Sequence, residues 1–194
     1  VPVIHMMDKF HASSVITCQR FEPQKISIDR GKLLENVEDG YRRFEFTEDG
    51  ISPRSRLGMN NGIFWNTGDE SDEQGHITED PVLRVKMMDK RMSRLDLILE
   101  RIPKEQQAVS FGIEDFTIIS WGSTMGPLLD AIDMLKKDGI SIGLVQMKLM
   151  NPFPGDYVKS LLKDAKTIID VEANQSGQLA TLFKQNVGRD VDYF

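Results

Sequence analysis

Phe116-Thr117-Ile118-Ile119-Ser120-Trp121, followed at once by Gly122-Ser123, is the stretch whose reading decides the fold. Its length is that of a strand, and its unbroken apolar character means a strand covered on both faces. Residues 140–146 (Ile140 to Gln146) and 167–171 (Thr167 to Val171) repeat the pattern. Between the first two, Met125, Leu128, Leu129, Ile132 and Leu135 recur at helical spacing, and Lys136, Lys137 and Gly139 supply a stop. A second helix is expected from about 155 to 164 on Val158, Leu161 and Leu162, and a third on Leu179, Leu182, Phe183 and Val187, stopping at Gly188. Strand and helix in strict alternation predict a parallel sheet with right-handed crossovers, the doubly wound α/β class.

The usual ligand of such a sheet is a dinucleotide, and the first turn tests for it. Gly122-Ser123-Thr124-Met125-Gly126 lacks the middle glycine that lets a pyrophosphate approach the backbone. The second strand runs into Gln146-Met147-Lys148 where the ribose-binding acid belongs. No Gly-x-x-x-x-Gly-Lys-Ser/Thr loop and no Gly-x-Ser-x-Gly elbow occurs, so nucleotide triphosphate binding and hydrolase chemistry have no support.

The order of motifs is similar to that of a known family. Strand, Trp121-Gly122-Ser123, helix, strand, then Leu149-Met150-Asn151-Pro152-Phe153-Pro154, helix, and a strand ending Asp170-Val171-Glu172 resembles the transketolase C-terminal domain. Thr47 to Arg54 (TEDGISPR), Thr67-Gly68-Asp69-Glu70 and Gly75 to Pro81 (GHITEDP) narrow the resemblance to the C-terminal part of the alpha, or fused gamma-alpha, subunit of archaeal 2-oxoacid:ferredoxin oxidoreductases. It implies thiamine-dependent oxidative decarboxylation of a 2-oxoacid to an acyl-CoA, with electrons passing through iron-sulfur clusters to ferredoxin. It also implies a beta subunit as partner, carrying the thiamine diphosphate and magnesium site. The activating glutamate and the threonine substrate motif of the family belong upstream of Val1, so the resemblance places no catalytic residue here. The related dehydrogenase or synthase beta chains share the α/β domain and should lack the 69–81 region.

The resemblance thus leaves this segment an assembly role, and composition sets the remaining bounds. With 194 residues and 40% hydrophobic content, the chain can bury one core and an attached subdomain. A net charge of -6 without a basic block argues against nucleic acid and anionic membranes, and no apolar run is long enough to span a bilayer. The lone Cys18 fits a reducing cytoplasm, and it cannot supply the four thiolates of an iron-sulfur cluster. A buried structural thiol is expected there. No cofactor is therefore expected on this chain alone; thiamine diphosphate, magnesium and the clusters are expected in the whole enzyme.

Three regions are expected. Residues 1–20 read as the end of a preceding thiamine pyrimidine-type domain, with a strand at 2–7 and a short helix from Asp8 to about Ile16. His5, Asp8 and His11 are spaced like metal ligands, but the strand reading takes His5 off the helical face, leaving structural roles. Residues 21–105 read as an irregular connecting segment. In it Asp49-Gly50 and Pro53 are turn chemistry, Arg54 is a candidate carboxylate or phosphate binder, and 68–80 is an acidic loop. Counted from Asp69, that loop has Gln74 and Asp80 where a calcium loop needs glycine and glutamate. Asp80 and Pro81 should open a helix over 81–102, with a stripe of Val85, Met88, Met92, Leu95, Leu99 and Ile102 to be covered. Lys86, Lys90, Arg91 and Arg94 lie off that stripe, where they can pair with the acidic loop. Residues 106–194 read as the α/β domain, with 103–114 as linker and a further strand starting at Asp192.

The crevice at the carboxyl ends of the strands is lined by Gly122, Ser123, Thr124, Met147, Lys148, Asn151, Glu172, Asn174 and Gln175. Ser123, Thr124, Asn174 and Gln175 join Arg54 as candidate binding residues, since free N–H groups at the start of the third helix can accept an anion such as a coenzyme A phosphate. Capping by the chain itself is the competing reading. The rival function is an autonomous nucleotide- or coenzyme A-binding module.

Overall fold

The computed structural model describes residues 3–194. Its elements are α1 (Lys9–Ser13), α2 (Pro81–Arg101), α3 (Lys104–Gln107), β1 (Ala108–Ser110), β2 (Phe116–Trp121), α4 (Met125–Lys137), β3 (Gly143–Met147), α5 (Gly155–Leu161), β4 (Thr167–Val171) and α6 (Gln178–Val187). The chain divides into two compact units, Val1–Thr17 with Leu99–Phe194, and Cys18–Ile98.

The first unit is built on a four-stranded sheet of order β1-β3-β2-β4. β2 pairs in parallel with β3 on one side and β4 on the other. From β2 the chain steps to β3 in one direction, and from β3 to β4 it steps back across β2. Right-handed crossovers therefore put α4 on one face and α5 on the other. The core follows that division. Ile119, Val145 and Ile168 share a buried cluster with Val158 and Leu162 of the α5 region and with Leu179, Phe183 and Val187 of α6, whereas α4 contributes no buried residue. Helix α6 stops at Gly188, whose φ of 75° is the left-handed geometry that glycine adopts without a Cβ clash.

Three expectations about this unit change. The stretch read as a linker holds α3 and β1, and β1 adds an antiparallel edge, Ala108 opposite Met147, so the sheet is mixed. Three residues are too few to show any periodicity, yet Ala108 is fully buried. β3 starts at Gly143, not residue 140, because Ile140 still bonds back to the Leu135 carbonyl at the end of α4. α5 ends at Leu161, although Leu162 continues its buried stripe. Near the other end, Tyr193 forms a parallel bridge to Ile169 of β4, matching the strand expected from Asp192.

The expected strand at 2–7 is not formed over residues 3–7: they are exposed and have no ladder partner. Pro2 lies outside the described residues. The following helix is shorter than expected, Lys9–Ser13, with Asp8 as its N-cap.

In the second unit, α2 begins as read: Pro81 is its first residue, and the Asp80 carboxylate accepts from Val82 N at 2.8 Å. The face it buries departs from the expected stripe over the first half. Met87 is buried, while Val85, Met88 and Met92 are 59%, 44% and 53% exposed; Leu95, Leu99 and Ile102 of the same stripe are half-buried. The reason is the covering partner. Residues 41–76 form turns and isolated bridges, with carbonyls that no ladder satisfies, so the helix turns donors toward them. Lys90 Nζ donates to Phe44 O and Ser52 Oγ, both at 2.6 Å. Arg91 grips the Glu70 carboxylate through two parallel bonds of 3.0 and 2.6 Å, the pairing with the acidic loop that the sequence allows. Burial, and then the neighbouring Arg94, push the Lys90 ammonium down to about 8. Gly50, at φ 65°, lets the Asp49-Gly50 turn lie against this helix: a Cβ there would stand 2.8 Å from Lys90 O. Cys18 is exposed, contrary to the buried thiol expected, because the segment around it has no apolar cover.

Two stability effects are expected, both read by chemical denaturation. Phe183→Ala, at a fully buried site, should cost about 3–5 kcal/mol. Lys90→Met keeps the stem but leaves the Phe44 carbonyl without its donor, and should cost about 1–3 kcal/mol.

Candidate functional site

The carboxyl ends of β2 and β4 form the edge where this topology opens a crevice, because the chain leaves β2 toward one face and β4 toward the other. After β2 it turns through Gly122–Thr124 into α4. After β4 it runs through Glu172, Asn174 and Gly177 into α6.

Two carboxylates of β4 and its extension dominate this edge. Asp170 stands in register with Ile119 on the α6 face and is 2% exposed. Its Oδ2 accepts from Ala180 N at 3.1 Å. Glu172 Oε1 accepts from Leu179 N at 2.9 Å, and its Oε2 accepts from the Trp121 indole at 3.2 Å and from the Asn174 amide. Asn174 Oδ1 in turn accepts from Gln178 N at 3.2 Å, and Thr181 N donates to Gly177 O at 3.0 Å. The leading N–H groups of α6 are thus all taken by the chain itself. Burial, then the adjoining Glu172, push the Asp170 carboxyl up to about 7. Glu172 moves the other way: its hydrogen bonds from Asp170, Asn174, Trp121 and Leu179 outweigh its burial and hold it below the usual carboxylate range. Asp170 Oδ1 is buried and has no hydrogen-bond partner.

The turn after β2 is closed in the same manner. Ser123 N donates to Asp8 Oδ2 at 3.0 Å. Thr124 Oγ1 donates to Trp121 O at 2.7 Å and lies 2.5 Å from Ser120 Oγ, and Ser120 Oγ donates to Val171 O at 2.7 Å, tying the two strand ends together. Gln146 Nε2 donates to Gly122 O at 3.1 Å.

Of the candidate residues, Ser123, Thr124 and Asn174 come together at this edge, each inside these internal bonds, and Gln175 is exposed in the loop between β4 and α6. Met147 is buried, and the Lys148 ammonium donates to Glu105 O at 3.0 Å. Arg54 belongs to the second unit, where it is exposed and donates to Arg30 O at 3.3 Å. That unit also has an open cleft of about 750 Å³ between the acidic loop and α2, in which the Arg91 guanidinium is already matched by Glu70. Sequence reasoning missed Asp170 and Asp8. A carboxylate inside an otherwise apolar strand is the signal for Asp170, since a buried charge needs partners. Asp8 carried no signal for a bond to a residue so far along the chain.

Among the described residues, no group of three or more His, Cys, Asp or Glu could hold a metal ion, and no helix is long and apolar enough to cross a membrane. His11 Nδ1 lies 3.1 Å from Asp8 Oδ1 as a local pair.

Residues 114–192 match the profile of the pyruvate:ferredoxin oxidoreductase core domain II family. The chain is 46% identical over 187 residues to the alpha subunit of 2-oxoacid:ferredoxin oxidoreductase 2 from Aeropyrum pernix, covering 94% of this chain and 29% of that protein. It belongs to the 2-oxoacid:ferredoxin oxidoreductase alpha-subunit family. A Sulfurisphaera tokodaii alpha subunit is 39% identical over 98% of this chain and 30% of its own length. The chain thus spans about three-tenths of the length of these curated relatives. A solved 2-oxoglutarate:ferredoxin oxidoreductase from Magnetococcus marinus, with 2-oxoglutarate, coenzyme A and succinyl-CoA bound, superposes with a TM-score of 0.80 at 28% identity, over 90% of this chain and 30% of that one.

The raised carboxyl gives a pH test. Asp170 binds its proton more tightly folded than unfolded, so its contribution to stability is complete below about pH 4 and is lost as pH rises through about 7. Asp170→Asn mimics the protonated form. Denaturation midpoints across pH 5–8 should fall for the native protein, stay flatter for Asp170→Asn, and place the variant at or above the native protein at pH 8.

Proposed function

We propose that this chain is the assembly-serving segment of a 2-oxoacid:ferredoxin oxidoreductase alpha subunit, giving shape and contacts to a thiamine-dependent centre whose reactive groups lie elsewhere. The whole enzyme converts a 2-oxoacid to an acyl-CoA and passes electrons to ferredoxin, with a beta subunit as partner and the cytoplasm as its compartment. Thiamine diphosphate, magnesium and iron-sulfur clusters are its cofactors, and the residues present here do not fit them. The lone Cys18 is exposed, and the carboxylates of the sheet edge are spent on helix N–H groups.

One observation carries the reading: the crevice that holds ligands in other α/β sheets is filled by the chain's own Asp8, Asp170 and Glu172. A phosphate there must compete with carboxylates already seated on the same donors. The rival reading, a coenzyme A or nucleotide module, requires those donors to be free.

The test uses the complete enzyme. Gln175→Ala changes an exposed side chain at the edge without removing a carboxylate cap. It should leave kcat and the KM for coenzyme A within about twofold of the native enzyme, since surface substitutions away from such features are nearly neutral. A tenfold rise in that KM, with the thermal midpoint unchanged, would establish a ligand site at this edge and overturn the proposal.

A further inference from the structure

Residues 3–17 and the α/β domain belong to one compact unit, although some hundred residues separate them in the chain. The attachment is unusual for an apolar segment. Val3 is 92% exposed, Ile4 86%, Phe10 69% and Val15 97%, so none of these side chains is used on the α/β domain. Asp8 is the one residue of 3–17 that is not exposed.

Its carboxylate does two things at once. Oδ1 accepts from His11 N at 3.0 Å, capping α1, and Oδ2 accepts from Ser123 N at 3.0 Å, in the turn that opens α4. One charged group thus joins the starts of two helices, each with N–H groups that favour an anion. The domain side is shaped to admit it. Gly122 has φ 68°, and a Cβ there would stand 3.3 Å from Asp8 Oδ2. The hydrogen bonds from His11 and Ser123 hold the Asp8 carboxyl far below the usual carboxylate range, so the group is an anion at any working pH.

We infer that Asp8 is a latch: a single carboxylate that pins the segment around it to the β2–α4 turn, leaving the apolar side chains of that segment free of the α/β domain. The latch is a positioning device and touches no reacting atom. It deepens the assembly reading given above but does not require it, since a ligand elsewhere on the sheet edge would leave the Asp8–Ser123 bond in place.

The test uses the full-length alpha subunit in its complex. Hydrogen exchange reports the Ser123 amide, and limited trypsin digestion reports access to Lys9 and Arg20. Asp8→Ala should speed exchange at Ser123 about tenfold or more, as expected for loss of a bond to a charged acceptor, and should speed cleavage at Lys9. Exchange at Leu179 and Ala180, capped by other carboxylates, should not change. Asp8→Asn retains one acceptor oxygen and should fall between the two. Unchanged Ser123 exchange in Asp8→Ala or Asp8→Asn overturns the latch. If Asp8→Ala does not assemble, Asp8→Asn carries the same readouts. Because kcat and the KM for coenzyme A are measured separately on Gln175→Ala, failure of the latch and failure of the assembly reading remain distinguishable.

Discussion

Carboxylates seated on helix N–H groups are the interaction on which the sheet edge depends. A helix that starts at the carboxyl end of a parallel strand presents unpaired donors and the positive end of its dipole. Many α/β proteins meet that need with a phosphate. Here Glu172 and Asp170 meet it at α6, and Asp8 meets it in the turn before α4. The choice has a cost, because Asp170 is buried beside Glu172, a placement that pushes its carboxyl up to about 7 and favours the protonated form.

That arrangement links architecture to role. Ser120 and Thr124 tie the ends of β2 and β4 directly, and the Trp121 indole reaches Glu172. The edge is therefore cross-linked by short polar bonds, and the leading N–H groups of α6 and the Ser123 N–H are occupied. The membership of this chain in an oxidoreductase subunit family and the closure of its crevice both agree with the assembly role proposed above.

The second unit is organised by a different constraint. Its residues make few ladders, so its backbone carbonyls and carboxylates must find donors on the one long element available. Lys90 and Arg91 answer from α2, and Glu73 answers Phe46 N at 3.0 Å and Arg42 at 3.1 Å. Covering loops with a helix in this manner turns its cationic flank inward and leaves Val85, Met88 and Met92 outside. Over its first half, Val85 to Met92, the apolar stripe misplaced the buried face because the neighbour there has more polar groups than apolar surface to offer.

Periodicity and punctuation determined β2, α4, β4 and α6 from the sequence alone, along with the start of α2 at Asp80-Pro81, because those features depend on residues within a turn or two of each other. The motifs from Thr47 to Pro81 likewise carried the family, as an ordered set of local patterns. What only the tertiary structure decided was which distant groups meet. The antiparallel β1 edge, the inward face of α2, the Asp170–Glu172 pair over α6 and the reach of Asp8 to Ser123 all join residues whose contact no local spacing encodes. Burial and hydrogen-bond need act through space, so these partners are set by where the sheet brings chain segments together.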